Sequence, residues 1–205
     1  QDRRRGIVVA VGIVAVLAAL TFGYVTLIGG TTGRSTVSPA GAASLSGDES
    51  RARVQMIDGA LVPLAESTDP QEFARVVADA LFAWDTTLGI NVEDYLARLV
   101  EVADPLGEST PGLVADLAGY LPSRQTWLQL RGYSTRQWLT ITSIRVPTLW
   151  DQALAEAGPD GLLAGTTAYT IKGIRHRAGI WEETPVASRH QVAFTIFLVC
   201  APAYP

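Results

Sequence analysis

From Gly6 to Ile28 the chain runs for 23 residues without a charge, in Val, Ile, Ala and Leu with a few Gly, Thr and aromatic residues. As a helix this stretch is about 34 Å long, enough to cross the ~30 Å hydrocarbon core of a bilayer with slight tilt. A secretory apolar region is shorter, about 7–15 residues, and the small-residue stretch Ala40-Gly41-Ala42 lies too far downstream to serve as its cleavage site. A retained anchor is therefore expected over 6–28. Arg3, Arg4 and Arg5 precede it and only Arg34 follows closely, so the positive-inside rule places residues 1–5 as a cytoplasmic stub and the rest of the chain outside the membrane.

Residues 29–50 (GGTTGRSTVSPAGAASLSGDES) are small and polar and are expected to form a flexible tether. Residues 51–205 then suffice for one ordinary domain with a full core. This part carries 17 acidic and 12 basic residues, a balance that argues against direct contact with nucleic acid, whose phosphates call for a basic face. Cys200 is the single cysteine, so no disulfide can form within the chain. The chain opens with Gln, and residues are expected before it; one more strand is expected beyond Pro205.

Hydrophobic spacing gives the order of elements. Val54, Ile57 and Leu61 suggest a helix starting near Ser50. Asp69-Pro70 opens a clearer one, with Phe73, Val77, Leu81 and Trp84 along one stripe to about Leu88. Helices are also expected after Asn91 and Thr110, followed by a helical turn around Trp127. Arg136–Val146 reads as a strand, Leu149–Ala157 as a brief helix, and Ala168–Ile180 and Arg189–Cys200 as two strands joined by the loop WEETPVAS. Helices first and antiparallel strands second define an α+β domain, with helices on one face of the sheet.

Chemistry-bearing residues are sparse: two His, one Cys and one Lys. The segment Trp84-Asp85-Thr86-Thr87 is similar to the Asp-Thr turn of aspartic proteases, whose carboxylate works beside a second one. At the end of an amphipathic helix, however, Asp85 is expected to be an ordinary helix-terminal carboxylate. A hairpin symmetric about Glu183 would set His176 opposite His190, within reach of a shared metal and near Glu182 and Glu183. The surrounding Arg175, Arg177 and Arg189 oppose a cation, and a slip of one residue in register would separate the two histidines. No metal, cofactor or catalytic residue is therefore expected. Trp84, Trp127, Trp138, Trp150 and Trp181 are expected to fill the core, the alternative being the lining of a ligand cleft.

The stretches QEFARVVADALFAWDTT, TAYTIKGIRHRAGIW and HQVAFTIFLVC, behind an anchor and a tether, resemble the TcpC family of conjugation proteins of Gram-positive bacteria, counterparts of the eighth VirB component of type IV secretion. The resemblance covers about residues 5–205 and rests on architecture and general sequence character. It implies a cone-shaped domain of the nuclear transport factor 2 kind, with helices on a curved antiparallel sheet. It also implies a non-catalytic role in assembling a DNA-transfer channel, through other channel membrane proteins and possible homo-oligomers. Two other families share the plan: the Mce-associated membrane proteins that accompany lipid importers, and isomerase-like cone domains that bind small molecules. The latter would need an acid or base in an apolar pocket, whereas Asp79 and Asp116 fall outside the apolar stripes.

Overall fold

The computed structural model describes residues 54–103, 110–158 and 161–200, all within the unit Ser44–Pro205. The anchor expected over 6–28, the stub and the tether lie outside the described residues. Among those described, no helix is long and apolar enough to cross a membrane.

The domain is α+β, with helices and a curled antiparallel sheet in a half-barrel. It begins with a two-stranded hairpin, β1 (Met56–Ile57) and β2 (Ala60–Leu61), where a helix was expected. Asp58 and Gly59 hold φ of 51° and 81° at its tip. Two consecutive positive φ values make the mirror-image turn that matches strand twist, and Asp-Gly is well suited to it. That local preference outweighs the loose apolar spacing of Val54, Ile57 and Leu61.

Helix α1 (Pro70–Phe82) starts as its sequence dictates: the Asp69 carboxylate accepts from the amides of Gln71 at 2.8 Å and Glu72 at 3.2 Å. It ends at Phe82, earlier than the expected Leu88. Trp84 and Asp85 form a two-residue strand, β3, paired with Gln137 and Arg136. Trp84 is thus buried from a strand and not from the helix stripe. A 3-10 turn (Thr86–Leu88) leads to α2 (Val92–Val100), where the Asp94 carboxylate reaches back to the Asn91 amide at 2.9 Å. Helices α3 (Thr110–Tyr120) and α4 (Arg124–Gly132) follow; the second is a full helix where one turn was expected.

The sheet runs β3–β4–β5–β6, with β4 at Arg136–Arg145, β5 at Thr166–Trp181 and β6 at Thr184–Val199. A bulge in β4 between Ile141 and Ser143 bends the strand, as an inserted residue does. Beside it Gly173 carries no side chain because the Thr140 carbonyl would lie 2.7 Å from its Cβ. The close approach of β4 and β5 there depends on glycine. Helix α1 crosses the inner face of the sheet. Leu139, Ile171, Phe194 and Leu198 from that face join Ala74, Ala78, Leu81 and Tyr95 in the core. One short helix, α5 (Trp150–Ala157), departs from the expected one-sided arrangement: Trp150 meets Phe197, which points to the opposite face, at 6.0 Å between ring centroids.

Candidate functional site

The β5–β6 hairpin turns in two residues, Glu182 and Glu183, with Trp181 opposite Thr184. Apart from that turn, the expected eight-residue loop is strand instead, and Pro185 is tolerated because β6 has no strand on its outer side among the described residues. The register is consequently one residue away from symmetry about Glu183. His176 pairs with Arg189 and His190 with Arg175. Directly paired residues share a face and the side-chain period is two, so the histidines lie on opposite faces. His176 stacks on Trp138, the rings 5.1 Å apart and 4° from parallel, and its Nε2 lies 3.0 Å from Thr140 Oγ1. Among the described residues no group of three or more His, Cys, Asp or Glu could hold a metal.

Asp85 is the second residue of strand β3 rather than a helix terminus, but its carboxylate is engaged locally. It accepts from the Thr87 amide at 2.8 Å and the Thr87 hydroxyl at 2.7 Å. The neighbouring Thr86 hydroxyl donates to the Thr135 carbonyl at 2.9 Å. The segment locks β3 onto the turn before β4.

The tryptophans divide. Trp84, Trp127 and Trp138 are buried, Trp150 is half-buried, and Trp181 is 51% exposed, a correction to its expected core position. Trp181 stacks on Tyr133 at the hairpin tip, with rings 5.0 Å apart, beside exposed Ile180 and Val186. Beyond the tip β6 continues as an edge: its outer side has no strand neighbour among the described residues.

Along that edge a cleft of about 390 Å³ opens between the end of α3 and β6, bordered by Gly119, Tyr120, Phe82, Phe194, Val192 and Arg175. Phe82, Tyr120 and Phe194 form an aromatic wall, with ring centroids 5.2–6.2 Å apart. Burial raises the Tyr120 hydroxyl pKa, with Asp116 adding to the shift. Arg175 supplies the cation, on the inner face two residues from Arg177. Arg177 is committed elsewhere: it donates to Gln137 Oε1 at 2.8 Å and lies over the Trp84 ring at 5.2 Å. Desolvation lowers the Arg177 pKa, and Arg175 lowers it further. Arg175 Nε is shielded from solvent without a hydrogen-bond partner, and no described carboxylate forms an ion pair with it.

Among the described residues one carboxyl is perturbed. Asp79 on α1 is raised to about 6, first by desolvation, with Glu72 adding and Arg75 opposing. Its side chain is exposed and does not border the cleft. The cleft thus offers a guanidinium, a phenol and an apolar wall, a set suited to holding an anion beside an apolar group.

Comparison with family models, with curated proteins and with solved structures finds no match to this chain.

Proposed function

We propose that this chain is a membrane-anchored structural component of a conjugative DNA-transfer apparatus, acting through protein–protein contacts and not as an enzyme. The observation that carries the contact role is the outer edge of β6, 16 residues long and without a strand partner among the described residues, next to the exposed Tyr133, Trp181 and Val186 at the hairpin tip. An open strand edge is a template for another chain, and a cluster of exposed aromatic and aliphatic side chains is the usual centre of an interface.

The remaining parts of the proposal come from the sequence. The uncharged stretch 6–28 anchors the chain in the cell membrane, with the N-terminus cytoplasmic and the domain extracytoplasmic. The curled sheet under α1 is taken as a cone of the nuclear transport factor 2 kind. The acidic balance of the domain directs it to channel proteins and not to DNA. The resemblance to TcpC-like proteins supplies the word conjugation.

The test is deletion of the gene in a donor strain. Plasmid transfer should fall by orders of magnitude and return with the wild-type copy. Unchanged transfer would sink the conjugation reading. Loss of lipid uptake instead would assign the chain to the lipid-import accessory class.

A further inference from the structure

We infer that the cleft beside β6 binds the free C-terminus of a partner polypeptide whose last residue is apolar, the tail adding as a strand to the β6 edge. The inference deepens the protein-contact reading above and rests on it, but not on conjugation.

Three features converge. First, four consecutive residues of β6, Gln191 to Phe194, border the cleft. Successive side chains of a strand point to opposite faces, so a run of four places the backbone edge itself on the cleft. No strand pairs with that edge among the described residues, and its outward N–H and C=O groups match an extended peptide. Second, among the described residues Arg175 is the one cation bordering the cleft, and it has no acidic partner there. A guanidinium matches a carboxylate with two parallel hydrogen bonds. One such group suits a monoanion, whereas a phosphate dianion calls for several donors. Third, the Phe82–Tyr120–Phe194 wall stands beside Arg175 and would receive the apolar side chain next to that carboxylate.

Gly119 borders the cleft. It sits in the last turn of α3, where glycine is less favourable than alanine by about 1 kcal/mol, and a Cβ built there meets nothing within 4 Å. A larger side chain at this position would not collide with the fold at its Cβ, and a long one at the border of the cleft is placed to obstruct it.

The test uses the full chain in lipid nanodiscs and a pool of hexapeptides degenerate at their last three positions, with free or amidated C-termini. Selection should enrich apolar last residues among the free acids. The best peptide should bind at least tenfold more tightly than its own amide. Arg175→Gln should abolish that difference. Gly119→Leu should weaken binding at least tenfold while leaving the melting temperature within a few degrees, which separates occlusion from unfolding. Equal affinity for acid and amide, no preference at the last position, or an acid preference that survives Arg175→Gln would overturn the inference. Dodecanoate competing as strongly as the peptide would assign the cleft to an aliphatic carboxylate and overturn it too. Loss of peptide binding beside intact dependence of plasmid transfer on the protein would leave the contact role to another surface.

Discussion

Trp84 and Trp127 meet edge to face with ring centroids 5.4 Å apart, each only 1% exposed. One comes from a two-residue strand and the other from α4, and Tyr95 of α2 closes on Trp127 at 5.4 Å. This contact ties the short β3 and two helices together, and truncating either ring opens a large cavity. Trp84→Ala should destabilise the domain by about 3–5 kcal/mol. Chemical denaturation would check this; a midpoint unchanged from wild type would show that the ring does not carry the core.

Neither indole N–H in that pair has a hydrogen-bond partner. Replacing Trp127 with Phe removes an unsatisfied donor along with part of the ring, so the two effects oppose each other. The expected loss is well below that of the alanine variant, about 1–2 kcal/mol. A loss as large as that of Trp127→Ala would mean that the N–H is satisfied.

Gln137 is 3% exposed and joins two elements: Nε2 donates to the Phe82 carbonyl at 3.3 Å while Oε1 accepts from Arg177. Leucine of similar volume would strand a carbonyl and a guanidinium. Gln137→Leu should cost about 1–3 kcal/mol despite being the more apolar residue. Double-mutant analysis with Arg177→Met should recover part of it, since the second change removes the stranded cation.

Glu182 and Glu183 hold φ of 46° and 65° in the hairpin turn, a region that disfavours side chains with a Cβ. Replacing them with Asn and Gly should stabilise the domain by about 1 kcal/mol. Thermal melts of the double variant would read this as a higher transition temperature; a lower one would mean that the glutamates make contacts that outweigh the strain.

Asp79 gives a pH signature. Its carboxyl pKa is raised from 3.8 to about 6 on folding, so the folded state holds the proton more tightly than the unfolded chain. Between those values the folded state binds more protons, and stability contributed by this group falls as pH rises from about 4 to about 6. Asp79→Asn should therefore raise the melting temperature at pH 7 and make little difference below pH 4. A variant less stable than wild type at pH 7 would show that the charged form is stabilised in the fold.

Much of the domain follows from local rules. The Asp69-Pro70 start of α1 and the strand at Arg136 depend on spacing and capping, interactions a few residues long, and the structure keeps them, whereas the expected order of helices before strands is broken by the β1–β2 hairpin and by β3. The anchor expected over 6–28 lies outside the described residues. What the sequence could not settle depends on pairing between distant segments. Trp84 looks like the last turn of a helix, yet Gln137 draws it into a sheet. The two histidines look like neighbours, but a turn of two glutamates shifts the register by one residue and sends them to opposite faces. The cleft was equally hidden: Arg175, Gly119 and Phe194 carry no shared motif, and only the curl of the sheet against α1 and α3 brings them together. A side-chain period of two converts one residue of register into a change of face, so tertiary structure alone decides which groups share a site.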